Sequence, residues 1–180
     1  MAYFQDLSII TFLFLAVFFD LSVRKIPNWL ILGGLLAAGL VNASHGTHAL
    51  FSSLLGFIAS IGVLLVPFAL RWLGAGDVKA FGVVGALLGP ASLPLVAFYT
   101  ALAAGLIGIG YMVVNQLHLQ GFKGMWTDFR LAIASFGHIL PEHFRTNQAK
   151  QRHYMPWAVS LGTGTIIAYY LDPQGRWAGF

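Results

Sequence analysis

The sequence predicts an all-α fold: a polytopic membrane bundle of about six transmembrane helices, with an amphipathic interfacial helix before the last span. Three observations predict it. First, 58% of the 180 residues are hydrophobic and 9% are charged, against about 45–50% and 25% in a soluble domain. Second, long apolar runs recur from one end of the chain to the other, separated by short polar connections. Third, the basic residues gather on alternate connections, as the positive-inside rule requires of a multi-pass protein. No linker, repeat or low-complexity tract divides the chain, so residues 1–180 read as a single integral-membrane domain.

Residues 7–23, "LSIITFLFLAVFFDLSV", make the first span. The leading "MAYFQDL" has no Lys or Arg, the pair Arg24-Lys25 follows the run, and no small-residue cleavage site comes after it. A retained span is therefore expected rather than a signal peptide. Span two, 28–43, opens after Pro27, whose fixed φ suits a first helical turn. The loop "SHGTH" leads to span three, 49–72, and "GAGDVK" follows as a bend. The apolar run 80–117 would extend ~57 Å as one helix, against a hydrocarbon core of ~30 Å. It must fold back, and Gly89, Pro90 and Pro94 mark the place, giving a short fourth and a longer fifth span. Within the polar stretch 118–152, Trp126, Phe129, Ile133, Phe136 and Leu140 recur at helical spacing, which suits a helix lying in the interface. Span six covers 154–171. Gly33-Gly34, Gly39, Gly56 and Gly62 suit close helix packing.

With six spans and the N-terminus outside, segments 24–27, 71–79 and 118–152 are cytoplasmic. They hold nine of the ten basic residues, all but Arg176. A single span over 80–117 would put the basic stretch 118–152 outside, against the rule.

The chain has no cysteine, which excludes disulfides, thiol catalysis and Cys-based zinc sites. The net charge of +4 comes without a basic arm or RNA-binding motif, so no nucleic-acid partner is expected. His45 and His48 read as a hydrated turn, and the remaining histidines as interfacial, so no metal site is expected.

Of six acidic residues, Asp6, Asp128, Glu142 and Asp172 fall in terminal or loop regions, whereas Asp20 and Asp77 lie at span ends. They are 57 positions apart, but two complete spans separate them, which returns both to one face at similar depth. An ionisable residue in a span costs about 2.5–3.5 kcal/mol on insertion scales and is a functional candidate by default. Two carboxyls held a few ångströms apart cannot both ionise easily. The charged one can take a proton from a water between them, while the protonated one donates a hydrogen bond to a carbonyl. That chemistry needs no metal and no cofactor. Gly74 and Gly76 would let backbone pass close to Asp77. The residues also admit plainer roles. Asp20 and Arg24, four apart, could form an ion pair. Asp77 could cap the fourth span. Lys79, two residues from Asp77, does not face it on a helix and reads as reaching the headgroups, the partner acid or a substrate backbone.

"DLSVRKIPN" (20–28) resembles the first motif of the type IV prepilin peptidases, and "GAGDVK" (74–79) resembles their second, Gly-x-Gly-Asp-x-Lys. The two come in the right order and place. "MPWAVSLGTG" (155–164) resembles, more weakly, the start of the family's last span. Presenilin-like proteases share the Gly-x-Gly-Asp core, but their Tyr-Asp and Pro-Ala-Leu motifs are missing here. The resemblance implies a membrane aspartic endopeptidase with Asp20 and Asp77 as the catalytic pair. Pro27 and Asn28 support the first motif, and Gly74, Gly76 and Lys79 the second. It implies cleavage of prepilin or pseudopilin leaders after a glycine, at the cytoplasmic face of the inner membrane, with membrane lipid and pilus assembly machinery as partners.

The large bacterial members carry a cytoplasmic insertion with paired Cys-x-x-Cys motifs and methylate the new N-terminus. This chain has neither cysteine nor insertion. It therefore resembles the small, peptidase-only TadV/CpaA-like branch serving Flp pili, without N-methyltransferase activity. The alternatives are an archaeal-type preflagellin peptidase, which is similar in layout, and a small proton-coupled membrane transporter, which would place acids along a path across the membrane.

Overall fold

The computed structural model describes residues 2–69, 73–114 and 157–171. They form six α-helices: α1 (Ala2–Val23), α2 (Asn28–Ser44), α3 (Thr47–Ala69), α4 (Ala75–Leu88), α5 (Leu93–Val114) and α6 (Trp157–Leu171). No strand occurs among the described residues. The interfacial helix expected within 118–152 lies outside them. The chain divides into two compact units, Met1–Ile107 with Pro156–Phe180, and Gly108–Met155. Of the second, only the last turns of α5 are described.

Three stretches are long and apolar enough to cross a membrane: Phe4–Val23, Thr47–Ala69 and Pro90–Gly110. Helix α2 is apolar but shorter. Phe14, Leu40, Phe51, Val66 and Leu106 point outward and are well exposed, a surface that suits lipid and not water. The expected fold-back at 89–94 is present. Gly89 takes φ = 80°, a left-handed backbone that favours glycine. Pro90–Ser92 form a 3₁₀ turn, after which α5 begins. Helix α1 starts five residues earlier than the apolar run suggested, because Ala2–Asp6 continue the same helix.

Helix α4 is the centre of the bundle and packs against α1, α2, α3 and α6. Val78 and every residue from Ala80 to Leu87 are buried. The tightest seam is with α3, where a methyl group on Gly56 would lie 2.0 Å from the Gly85 carbonyl oxygen. Gly34 makes a similar close approach to Val83 and Phe12. Gly33, Gly39 and Gly62 do not serve packing within the chain, since a methyl group on any of them meets nothing within 4 Å.

At 14 residues α4 is about 21 Å long, short of a ~30 Å hydrocarbon core. Its last four carbonyls have no partner within the helix, and bare carbonyls in lipid cost several kcal/mol each. All four are met. Gly89 N donates to Gly85 (2.8 Å), Asn42 Nδ2 to Ala86 (3.2 Å), Gln5 Nε2 to Leu87 (2.8 Å) and Ser92 Oγ to Leu88 (3.5 Å). Thus α1 and α2 each hold the far end of α4 with a side-chain amide.

Candidate active site

Buried residues on α1 recur as Ile9, Phe12, Leu13 and Ala16, and Asp20 continues that stripe one turn further. Asp20 is only 7% exposed. Its Oδ2 accepts a hydrogen bond from the Ala158 amide, 2.9 Å away in the first turn of α6. A helix's first amides lack partners inside the helix, and its N-terminal end carries partial positive charge. The start of α6 therefore satisfies one oxygen of a buried carboxylate.

The alternative ion pair with Arg24 does not form. Arg24 is exposed, its amide closes the end of α1 on the Asp20 carbonyl (3.0 Å), and its backbone is left-handed at φ = 55°. The connection after it is short and packed. Phe19 meets Trp29 edge-on with ring centres 5.4 Å apart. Pro27 stands as the N-cap of α2, one residue before the expected first turn, and its carbonyl accepts from the Leu30 amide at 3.1 Å.

Asp77 is half-buried in the first turn of α4. It is not the N-cap residue, a position that Gly74 takes. The Asp77 carboxylate reaches back instead, and its Oδ2 accepts from the Gly74 amide at 3.0 Å. This return bond explains one glycine, because a methyl group on Gly74 would crowd Asp77 Oδ2 at 3.2 Å. Gly76 differs. A methyl group there would meet Ile26 Cβ at an ordinary 3.7 Å, so contacts within the chain do not demand glycine. They do show that the bend around Gly76 lies against the α1–α2 connection.

Lys79 is exposed and donates from Nζ to Asn28 Oδ1 at 3.1 Å, across 51 positions of sequence. The Lys79 ammonium is thus directed to Asn28, which joins the two polar segments. The Lys79–Asn28 bond and the approach of Gly76 to Ile26 bring the first turn of α4, with Asp77, to the α1–α2 connection, the end of α1 that carries Asp20. Each aspartate commits Oδ2 to a backbone amide, and among the described residues Oδ1 of both has no hydrogen-bond partner. The structure thus brings together Asp20, Pro27, Asn28, Gly74, Gly76, Asp77 and Lys79 at one end of the bundle.

Some polar residues escaped the sequence reading. Ala158 has no side-chain signal at all, since it acts through its amide. Gln5 and Asn42 stood within or beside apolar runs. Asp6 belongs to α1 and not to a free terminus, and its carboxylate accepts the Tyr169 hydroxyl from α6. His45 Nδ1 pairs with the Val41 carbonyl (2.8 Å), which closes the end of α2. Among the described residues no three His, Asp or Glu side chains gather as metal ligands.

A family model described as the type IV leader peptidase family matches residues 7–109, from the first turns of α1 well into α5. No curated protein and no solved structure matches the chain.

Proposed function

Because the chain belongs to the type IV leader peptidase family, and is thus a multi-pass membrane peptidase whose substrates are prepilins in general, we propose that Asp20 and Asp77 are its catalytic acid pair. The observation that supports this reading is the placement of both aspartates at one end of the bundle. Both carboxyls lie at that end, each is steadied at Oδ2 by a backbone amide, and among the described residues Oδ1 of neither has a hydrogen-bond partner. A water held between the two Oδ1 atoms loses a proton to the ionised aspartate as it attacks the scissile carbonyl. The protonated aspartate donates its hydrogen bond to that carbonyl oxygen. The tetrahedral intermediate collapses with proton transfer to the leaving amine. Lys79 and Asn28 tie the two motif segments together, and glycine at 74 and 76 would let an extended substrate backbone pass close to Asp77. No step calls on a metal or cofactor.

The substrate is an Flp-type prepilin. Its basic leader stays in the cytoplasm, its apolar helix lies in the membrane, and cleavage follows a glycine at the cytoplasmic face. The absence of cysteine and of a long α1–α2 insertion supports a peptidase without N-methyltransferase activity. The N-terminus lies outside the inner membrane, the whole chain acts as one domain, and membrane lipid and pilus assembly machinery are its partners.

The test is co-expression of an Flp-type prepilin with wild type, Asp20→Asn or Asp77→Asn, in a host lacking its own leader peptidase. Intact mass of the pilin is the readout, and membrane levels of each variant are checked. Wild type removes a leader after a glycine and adds no methyl group, and both variants fail while still inserted. Normal cleavage by either variant would sink the two-acid mechanism.

A further inference from the structure

Helix α4, which carries Asp77, and helix α6, whose first turn holds Asp20, are both tied at their far ends to one dipeptide of α1. Gln5 and Asp6 are neighbours in the first turns of α1, about 21 Å along the helix from Asp20. Being about 100° apart around the helix, they reach different partners. Gln5 Nε2 donates to the Leu87 carbonyl at the end of α4, whose first turn carries Asp77. The Asp6 carboxylate accepts the Tyr169 hydroxyl near the end of α6, whose first turn holds Asp20 through the Ala158 amide.

Between these ends the seams are mostly apolar, and the buried hydroxyls of Ser160 and Thr165 on α6 make no hydrogen bond among the described residues. Gly162 of α6 lies against Val17 of α1, and Ile9, Phe12, Leu13 and Ala16 fill the rest of the α1 face. Dispersion packing falls off over short distances but has no preferred bond direction, so directional hydrogen bonds at the ends add a specific axial restraint to it. Among the described residues, α6 has two side-chain ties to α1, one at the acid and one at Asp6. The tie at Asp6 therefore fixes where the Ala158 amide meets Asp20.

We propose that Gln5, Asp6 and Tyr169 form a clasp that sets the register of α4 and α6 on α1. They are then positioning residues for the acid pair, remote from the chemistry. The inference rests on the reading of Asp20 and Asp77 as catalytic, and its test also reads register without activity.

The chain has no cysteine, so an introduced pair is unique. A methyl group on Gly162 would lie 3.2 Å from Val17 Cγ2, which brings Val17→Cys and Gly162→Cys within disulfide reach. Disulfide yield in membranes, read by alkylation and mass, reports the α1–α6 register. It is measured with the native clasp, with Tyr169→Phe, and with Asp6→Asn, which keeps an acceptor for the hydroxyl. In the cysteine-free chain, kcat and KM for leader cleavage are measured for wild type, Gln5→Leu, Tyr169→Phe and Asp6→Asn. Tyr169→Phe lowers disulfide yield, while Asp6→Asn keeps most of the native yield. Gln5→Leu and Tyr169→Phe each lower kcat about tenfold with KM unchanged, because a misplaced catalytic group costs rate and not binding. A purely structural role would lower the amount of folded protein and leave kcat per folded molecule intact. Native disulfide yield together with native kcat in Tyr169→Phe overturns the clasp. If wild type cleaves no leader, the catalytic reading fails separately, and the disulfide yield alone decides the register.

Discussion

Two substitutions at Asp20 separate its structural bond from its chemistry. The Ala158 amide is buried and donates to Asp20 Oδ2 at 2.9 Å. Asp20→Asn removes the ionisable carboxyl and keeps an oxygen in the same place, so the amide stays satisfied at a cost of at most about 1 kcal/mol. Asp20→Ala removes the acceptor and strands a buried donor, which costs about 1–3 kcal/mol, and the lost side-chain packing adds to it. At roughly 3 °C per kcal/mol for a chain of this size, Asp20→Ala should unfold about 3–9 °C below wild type in detergent, and Asp20→Asn no more than about 3 °C below. Leader cleavage should fall by at least about 10³-fold in both, because general acid–base chemistry needs the carboxyl itself. Ala158→Gly keeps the amide and should retain the bond. Equal melting of Asn and Ala variants would refute the claim that Ala158 anchors Asp20. Cleavage by Asp20→Asn within tenfold of wild type would refute the catalytic role.

Further expectations concern packing, the Lys79 bond and metals. Gly56→Ala would put a methyl group 2.0 Å from the Gly85 carbonyl oxygen, which backbone cannot easily yield. It should cost about 3 kcal/mol and deplete the protein from membranes, seen by quantitative blotting. Gly62→Ala meets nothing within 4 Å and should melt within about 1 kcal/mol of wild type, on the stable side, because alanine favours helix. Lys79→Met and Asn28→Ala each break an exposed bond, so each should change stability by under about 1 kcal/mol. Their effects on cleavage should be non-additive in a double-mutant cycle, because they share one interaction. Because the proposed reaction runs on two carboxyls and a water, EDTA should leave the cleavage rate of purified enzyme unchanged.

Hydropathy located the helices because lipid demands apolar runs, and it forced the turn at Gly89 because 38 residues cannot cross once. The even number of spans between Asp20 and Asp77 was enough to bring them to one end. Hydropathy could not tell a lipid-facing position from a protein-facing one, since both are apolar. Gly34 and Gly56 sit in seams while Gly33, Gly39 and Gly62 do not, although all five lie in similar runs. Backbone donors leave no trace in residue type, so the bond from Ala158 to Asp20 was invisible. Nor did the position of Asp77 three residues after Gly74 show whether it would cap the helix itself or reach back to the capping residue.

A helix that meets lipid must span the core or expose bare carbonyls, and α4 does neither. Its sides are covered by α1, α2, α3 and α6, and side chains or a turn amide take its last four carbonyls. Freed from the length rule, it can be short and rich in glycine, which lets α3 come within backbone contact. That close seam leaves little room for α4 to tilt, and the amides of Gln5 and Asn42 resist sliding. Its one strongly polar end then carries Asp77 at the level of Asp20. A longer helix with a lipid-facing side would be placed by the bilayer, whose thickness varies with composition. One placed wholly by protein contacts holds its carboxyl at a depth that the chain itself determines.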